Sequence, residues 1–519
     1  MLSGCAGSDI LRGGLGGDDQ LTLAVVSLAS RRGSKFGLLA QVLHRLSLEQ
    51  ASSRCRLTGR AGFRCPVGGR FAMARLSWKQ SENDASIREA VDLVREQGEP
   101  LPPIADEQAF GAMFDRFADA KVVLLGESTH GTSEFYRARA AITKRLIEQH
   151  GFTIVAVEAD WPDAARIDAY VRHRPVPDGD DEAFARFPTW MWRNEEVYDF
   201  VNWMREHNRD SAEDERAEFR GLDVYSLHGS IRSVLDYLDK IDPEAAKDAR
   251  GRYGCLSPWQ SDPARYGRAV ATGQKKPCDE ALLRQLQDIL DKRMEYLRAD
   301  GGEAFFDAVQ NAKIVHAAEH YYRIMYEGAT ESWNLRDRHM FETLQSLLAR
   351  RDNAKAVVWA HNSHIGNAAA TAMGWQGEFN IGELCRKAYR GEAVLIGFGT
   401  DRGTVAAADD WDEPMQVKSV RPARPDSHER IFRDTALSCF LTDWRENGQA
   451  DLTEVLSRPR LERAIGVVYR PETELYSHYF EAVLAEQFDA FVWFDETRAV
   501  TPLTRAHGKG MPETYPFGL

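Results

Sequence analysis

Short apolar runs alternate along the chain with longer segments of helical spacing. The runs are rich in Val, Ile and Ala and predict strands over 121–125, 153–157, 219–224, 356–360, 393–398, 404–407, 464–469 and 490–494. Helices are predicted over 133–149, 164–171 and 334–350, the first ending at His150-Gly151 with glycine in the C-cap position. The runs 393–398 and 404–407 are predicted to form a hairpin around Asp401-Arg402-Gly403. Strands separated by helices predict an α/β fold, with a central mixed, largely parallel sheet flanked by helices.

Two segments depart from this alternation. Residues 240–330 are helical and charged and contain no clear strand, so we expect a helical insertion or cap there. Residues 1–72 are rich in Gly and Arg, carry ten Lys/Arg against four Asp/Glu, and show little apolar periodicity. We expect this leader to be disordered, or to be an upstream extension of a chain that starts at Met73, and we expect 73–519 to form the catalytic domain.

Charge and composition narrow the classes of partner. The net charge of −13 makes nucleic acid an unexpected partner, because an acidic chain gains little from a phosphate backbone. No stretch approaches the roughly 18 apolar residues of a membrane-spanning helix, so we expect no membrane contact. The cysteines after the leader (Cys255, Cys278, Cys385 and Cys439) show no C-x-x-C spacing, and a reducing cytoplasm is the simplest setting.

Three predicted strands end in acids and histidines. The run 122–125 leads into Gly126-Glu127-Ser-Thr-His130-Gly131, the run 153–157 into Glu158-Ala-Asp160, and the run 356–360 into His361-Asn-Ser-His364. Ligands of α/β proteins gather at the carboxyl ends of strands, so these side chains are expected to face one cleft. Histidine is a base near neutral pH when a carboxylate orients it.

Further expectations follow for the acids and for a nearby arginine. If the strands that end in Glu127 and Glu158 are neighbours, the two like charges should raise the pKa of one carboxyl group. Arg139, on the helix that follows His130, is a candidate to bind a carboxylate or to stabilise an oxyanion.

Other motifs give weaker signals. His316-Ala-Ala-Glu319-His320 matches the H-x-x-E-H pattern of metallopeptidases, but so short a pattern arises easily in a helix and the tyrosines beside it favour packing. The sequence contains no G-x-S-x-G nucleophile elbow and no P-loop, and no G-x-G-x-x-G follows a strand and opens a helix.

These motifs together resemble the erythromycin esterase family. The resemblance rests on the segment 126–131, the strand that ends in Glu158, His361-Asn-Ser-His364, Arg336-Asp337 with Glu342-Thr343, and the segments 469–474 and 477–479. It covers about residues 80–505 and leaves out the leader. Some relatives are known as succinoglycan biosynthesis proteins.

The resemblance implies hydrolysis of an ester, typified by opening of a macrolide lactone, without a serine nucleophile. It implies that His130 activates water and that Glu127 and Glu158 orient the His130 ring. It also implies that Arg139 is an active-site arginine. His361 and His364 are expected to form a second histidine cluster, and the sequence does not show which of the two acts in catalysis. No cofactor is expected. The substrate is expected to be a small-molecule ester or lactone, and the oligomeric state is left open.

Two alternatives remain at this point. The same set of Glu127, His130, Glu158, His361 and His364 suits Zn²⁺ or Mn²⁺, which would make a metal-dependent hydrolase. The chain could also be a non-catalytic accessory protein of envelope polysaccharide metabolism. For a large apolar substrate, the helical insertion and the aromatic run Trp190-Met-Trp192 are candidates to line the cleft.

Overall fold

The computed structural model describes residues 85–175, 183–259, 262–300, 302–326, 328–445 and 450–503. The chain divides into two compact units, Met1–Ser81 and Glu82–Leu519, and the described residues belong to the second unit. The Gly/Arg-rich leader 1–72 therefore lies outside the described residues, and the expectations about it stay predictions.

A mixed, mostly parallel sheet forms the centre of this unit. Its strands and those of a small second sheet are β1 (Glu99–Pro100), β2 (Val122–Leu125), β3 (Ile154–Asp160), β4 (Glu218–Asp223), β5 (Ala356–Trp359), β6 (Ala393–Ala407), β7 (Gln416–Val420), β8 (Cys439–Asp443), β9 (Arg460–Arg463), β10 (Tyr479–Ala482) and β11 (Ala490–Thr497). The large sheet has nine strands in the order β1-β8-β11-β6-β2-β5-β3-β4, with β7 paired to β6, while β9 and β10 form the small sheet. The pairs from β11 to β4 are parallel, and those of β1, β7 and β8 are antiparallel.

Helices cover both faces of the large sheet. They are α1 (85–97), α2 (Glu107–Ala112), α3 (Ser133–His150), α4 (Trp161–Val171), α5 (Glu195–His207), α6 (Leu227–Ile241), α7 (Pro243–Tyr253), α8 (Pro263–Ala271), α9 (Asp279–Asp291), α10 (Arg293–Asp300), α11 (Glu303–Ile324), α12 (Ala329–Leu348), α13 (Asn362–Ile365), α14 (Ala372–Trp375), α15 (Ile381–Tyr389), α16 (His428–Asp434), α17 (Ala450–Leu456), α18 (Glu474–Ser477) and α19 (Leu484–Gln487). The predicted α/β class, with a largely parallel sheet flanked by helices, is confirmed.

The central strands are apolar throughout because both of their faces are buried. Along β2, Val123 and Leu125 join the core on one face of the sheet, and Val122 and Leu124 join the core on the other. Successive side chains of a strand point to opposite faces, so a strand covered on both sides has no polar alternation. This explains why short continuous apolar runs, and not alternating ones, marked the strands in the sequence.

The segment 240–330 is built from helices α7 to α11, which pack with α6 around a core of their own. Cys255 and Cys278 form a disulfide within this segment, a pairing that their spacing did not indicate, while Cys385 and Cys439 are free. Among the helices that the structure describes, none combines the length and the apolar character needed to cross a membrane.

The predicted hairpin around 401–403 is wrong. Residues Ala393–Ala407 form one continuous strand, and the antiparallel partner of its second half is β7. Gly403 has φ +127°, and a Cβ there would lie 1.9 Å from the carbonyl oxygen of Thr497. The glycine therefore allows β6 to lie close to β11 while the strand continues. Asp401-Arg402-Gly403 looked like a turn because this close approach requires a glycine inside the strand.

The predicted strand over 464–469 is also wrong as a regular strand. The pairing with β10 ends at Arg463, and the following residues make isolated bridges, Ile465 to Thr129 and Val468 to Ala408. The apolar run reflects burial, because Ile465 and Val467 are core residues. Its bridge to Thr129 places this segment beneath the loop that carries His130.

Candidate active site

Four neighbouring parallel strands deliver polar side chains to one edge of the sheet. In the order β2-β5-β3-β4, the polar residues at or near their carboxyl ends are Glu127, His361, Glu158 and Asp223. The expectation that the strands of Glu127 and Glu158 are neighbours is wrong, since β5 lies between them. His361 is consequently placed between the two acidic strand ends.

The loop after β2 is fixed on two sides. A Cβ at Gly126 would lie 2.1 Å from Oδ1 of Asn362, so only glycine allows this approach of the loop to the turn after β5. Ile465 accepts from the backbone N–H of His130 at 3.1 Å and donates to the carbonyl of Ser128 at 2.9 Å. These backbone contacts therefore fix the position of His130.

Glu127 connects His130 to Arg139. One carboxylate oxygen lies 2.8 Å from Nδ1 of His130, and the other accepts from Nη2 of Arg139 at 2.8 Å. All three side chains are buried, and the guanidinium of Arg139 also packs on the rings of Tyr136 and Trp359. Arg139 thus contacts the carboxylate that orients His130 and does not line the cavity described below, which differs from the oxyanion role considered for it.

His361 packs against His130, with ring centroids 4.9 Å apart. Its Nδ1 lies 2.8 Å from Oγ of Ser363, and it accepts from the backbone N–H of Ser363 at 3.2 Å and so caps α13. Because the backbone N–H can only donate, the neutral ring carries its proton on Nε2. Burial lowers the pKa of His361 well below its ordinary value, and any positive charge on the His130 ring acts in the same direction. His361 is therefore a neutral imidazole at pH 7.

Glu158 and Asp223 are held by Arg336. Arg336 donates from Nη2 to Glu158 at 2.6 Å and to Asp223 at 2.7 Å, and from Nε to Asp223 at 2.9 Å. The second oxygen of Glu158 accepts from the backbone N–H of His361 at 2.9 Å.

The charge on Glu158 is stabilised by its surroundings. Burial by itself would raise the pKa of Glu158, but the positive charges of His364 and Arg336 outweigh it and the pKa is lowered. The expected rise in pKa from a neighbouring acid is wrong for this residue, because the positive charges of His364 and Arg336 outweigh the effects that would raise its pKa.

His364 is engaged on both ring nitrogens. Nδ1 lies 2.9 Å from Asp337, and Nε2 lies 3.0 Å from Nη1 of Arg336 and 3.3 Å from Glu158. Burial disfavours the charged ring, but the carboxylates of Asp337 and Glu158 outweigh it and raise the pKa of His364. The two contacts at Nε2 exclude one another, since the neutral ring accepts from Arg336 whereas the protonated ring donates to Glu158. The indole of Trp333 stacks on the ring at 4.4 Å.

A cavity opens in front of this polar floor. Its floor includes His130, Glu158, Asp223 and Arg336, and its walls include Asp160, Asp163, Phe184, Arg186, Phe187, Pro188, Met191, Trp192, Tyr225, Trp411 and Val467. Of the aromatic run, Met191 and Trp192 reach the cavity whereas Trp190 packs on Phe187. Within the described residues, the segment 240–330 contributes no side chain to this lining, so the expectation that it lines the cleft is wrong.

The structure brings Glu127, His130, Glu158, Arg139, His361 and His364 together. It also adds Asp223, Arg336 and Asp337, which were not predicted as site residues. Asp223 could have been found, because β4 ends in an acid just as its neighbours do. Arg336 and Asp337 lie on α12, far along the chain, and helical spacing alone gives no sign that they turn toward the sheet edge.

The candidate metal ligands of the site contact other side chains of the protein. Among the residues that the structure describes, no group of three or more His, Cys, Asp or Glu side chains could hold a metal ion. In the H-x-x-E-H motif on α11, Glu319 accepts from the hydroxyl of Tyr266 at 2.5 Å and His316 lies 3.1 Å from Asp279. Glu319 and His316 thus contact residues of the helical segment.

Comparison with known proteins identifies the family. The family model described as erythromycin esterase matches residues 147–497, which is more than half of the chain. The chain belongs to the erythromycin esterase family. The matched range begins after the loop 126–131, so it does not include Glu127, His130 or Arg139.

Individual relatives are distant. Erythromycin esterase type II of Escherichia coli is 25% identical over 309 residues, covering 56% of this chain and 71% of the relative. YbfO of Bacillus subtilis (strain 168), provisionally named as a hydrolase, is 21% identical over 412 residues, covering 74% of this chain and 84% of the relative. These names support a hydrolase of this family without fixing the bond that it cleaves.

Solved structures share the fold. A crystal structure of a succinoglycan biosynthesis protein has a TM-score of 0.66 at 21% identity and covers 80% of this chain and 98% of its own. An erythromycin esterase mutant in its open conformation has a TM-score of 0.56 at 16% identity and covers 78% of this chain and 98% of its own. At these identities the likeness concerns the fold alone.

Proposed function

We propose that this protein is a hydrolase that cleaves a carboxylic ester or lactone of a small molecule, using water activated by His130 and no serine nucleophile. The observation that carries the proposal is the asymmetry of the His130 ring. Nδ1 is bound to Glu127, while Nε2 is buried, makes no hydrogen bond to any described residue, and belongs to a side chain that lines the cavity.

The tautomer of His130 follows from its partner. An ionised carboxylate only accepts, so Nδ1 carries the ring proton and Nε2 keeps its lone pair. A base must lie within hydrogen-bond reach of the proton that it removes, and Nε2 is the ring nitrogen that Glu127 leaves available for a water. Arg139 holds the other oxygen of Glu127 and so fixes the orientation of the carboxylate and the ring.

The reaction that these groups support has two proton transfers. His130 Nε2 takes a proton from water while the water oxygen attacks the carbonyl carbon, and the carbonyl oxygen becomes an oxyanion. When the carbon–oxygen ester bond breaks, the protonated ring returns the proton to the leaving alkoxide, which gives an acid and an alcohol. His361 is neutral, so it places no second positive charge against the protonated His130 ring.

Arg336 is the group best placed to stabilise the oxyanion. It is a cation that lines the cavity with His130, and its orientation is fixed by Asp223 and Glu158. A charge that is already oriented costs no reorganisation when the oxyanion forms. The aromatic side of the cavity suits an apolar substrate, and the names of the relatives make macrolide lactones one class to test.

The test is a hydrolysis screen of activated esters, lactones and macrolides with the parent chain and His130→Asn, each with and without chelator. His316→Asn is the matched control, because it removes a histidine of the H-x-x-E-H motif away from the cavity. We expect His130→Asn to lower turnover by about 10²–10⁴-fold with an unchanged fold, and His316→Asn to behave as the parent.

The outcomes separate the competing functions. Activity that ignores chelator and is lost with His130 supports water activation by histidine. Activity that chelator abolishes and one metal restores would assign the same residues to a metal site. Equal hydrolysis by folded His130→Asn and parent would remove His130 from the mechanism, and no hydrolysis of any substrate by the parent would favour a binding role.

A further inference from the structure

A buried glutamate lies directly behind the histidine-bearing turn. Glu462, on β9, is fully buried, and its Oε1 accepts from the side-chain amide of Asn362 at 3.2 Å. Asn362 is the residue that follows His361.

Asn362 joins three parts of the site. Its backbone N–H donates to the carbonyl of Glu127 at 2.8 Å, and its side chain donates to and accepts from the backbone of Phe398 on β6, at 3.0 and 3.2 Å. The close approach of Gly126 to Oδ1 leaves this amide no room to move. The contact with Glu462 therefore acts on a side chain that is already tightly held.

The same stretch of chain also supports the other histidine. Three residues after Glu462, Ile465 exchanges backbone hydrogen bonds with Ser128 and His130 of the loop after β2. The segment 462–465 thus touches the turn of His361 through a side chain and the loop of His130 through its backbone. A shift of this segment would change the distance between the two imidazoles.

The groups around Glu462 set its charge. Of the described residues, those acting on this carboxyl group are Glu429 of α16, Gln487 of α19 and Asn362. Burial is the largest cause, and with the negative charge of Glu429 it raises the pKa of Glu462 to about 8, against the opposing hydrogen bonds of Gln487 and Asn362. Glu429 itself accepts from the backbone N–H of Arg463 at 2.7 Å.

We propose that Glu462 is a positioning residue that, through Asn362, holds the turn carrying His361 against the loop carrying His130. The inference rests on the proposed function for the meaning of that placement, but the placement can be measured without any substrate. Above about pH 8, ionised Glu462 repels Glu429 in a buried environment, and the segment 462–465 is expected to loosen both of its contacts.

The experiment compares the parent with Glu462→Gln, Glu462→Ala and Glu481→Gln. Gln keeps an oxygen for Asn362 and does not ionise, Ala removes the contact, and Glu481 is an exposed glutamate on the paired strand β10 that serves as the matched control. Amide hydrogen exchange of peptides covering 126–131 and 361–366 is measured at pH 7 and pH 9, together with the pH profile of kcat on an ester that the parent hydrolyses.

We expect Glu462→Ala to raise exchange in both peptides and to lower kcat about tenfold with little change in KM, the effect of losing one buried hydrogen bond. Glu462→Gln is expected to rescue both readouts at pH 7 and to lack the loss that the parent shows between pH 8 and 9. Glu481→Gln should match the parent throughout.

The measurements decide whether Glu462 positions the two histidines. Exchange in Glu462→Ala equal to that of Glu481→Gln would overturn the positioning role, as would an identical alkaline loss in parent and Glu462→Gln. If the alanine variant does not fold, the pH dependence of the glutamine variant decides alone. A parent that hydrolyses nothing defeats the proposed function, and the exchange data still test the inference.

Discussion

The centroids of the His130 and His361 rings lie 4.9 Å apart, and the Nε2 atom of one ring is an acceptor whereas that of the other is a donor. Glu127 fixes the proton of His130 on Nδ1, which leaves Nε2 as an acceptor, whereas the N–H of Ser363 occupies Nδ1 of His361 and leaves Nε2 as a donor. An acceptor nitrogen and a donor nitrogen are therefore buried side by side. This pairing gives the two histidines different expected phenotypes.

Replacing Glu127 by Gln should damage catalysis more than folding. The amide keeps the size of the side chain but can donate to Nδ1 of His130 and favour the wrong tautomer, so we expect kcat to fall about 10²–10⁴-fold. Steady-state kinetics on a hydrolysed ester measures the loss. Glu134→Gln, at the start of α3, is the control, and an equal effect of both variants would contradict the orienting role.

Arg139 should matter through Glu127. Arg139→Met leaves the buried carboxylate without its cation, and breaking a buried pair in this way costs about 3–5 kcal/mol. We expect the free energy of unfolding, measured by urea denaturation, to fall by that order, and Arg139→Lys to recover part of it. A stable Arg139→Met with strongly reduced kcat would instead indicate direct contact with the substrate.

The two histidines after β5 should separate by phenotype. His361→Ala removes the cap of α13, which costs about 0.5–2 kcal/mol of unfolding free energy. It also removes the ring that packs on His130, so turnover should fall by more than this loss of stability explains. His364→Ala leaves buried Asp337 without its ring partner, and we expect a stability loss of about 3–5 kcal/mol.

Denaturation and turnover measured on both variants give the comparison. The opposite order, with His364→Ala stable and inactive and His361→Ala unstable and active, would reverse the assignment made from the hydrogen bonds.

Two buried histidines should make the protein sensitive to acid. Burial lowers the pKa of His339 and of His428 to about 4. Between about pH 6.5 and 4 the unfolded state therefore binds more protons than the folded state, so stability is present above pH 6.5 and is lost as the pH falls. Each histidine contributes a slope of about 1.4 kcal/mol per pH unit.

Urea denaturation across this range tests the slope. His428→Gln, which can still donate to the carbonyl of Ala482, should give a shallower slope than the parent, and the exposed His228→Gln should not. A slope unchanged in His428→Gln would show that burial does not lower the pKa of His428 in the folded protein.

The sequence by itself determined the fold class, the principal strands, and six candidate residues, of which five lie at strand ends and one on the next helix. This was possible because strands buried on both faces are continuously apolar, and because the polar residues that follow them sit at one edge of a parallel sheet. Glu127, His130, Glu158, Arg139, His361 and His364 could be named for that reason, since each follows a strand or lies on the next helix.

Only the tertiary structure decided which of these residues touch. The strand order puts β5 between β2 and β3, so His361, and not Glu158, lies against His130. Arg336 and Glu462 reach the site from elements distant in sequence, which no local pattern records. Strand order and such long-range contacts depend on how whole elements pack, and the periodicity of a single segment carries no information about its neighbours.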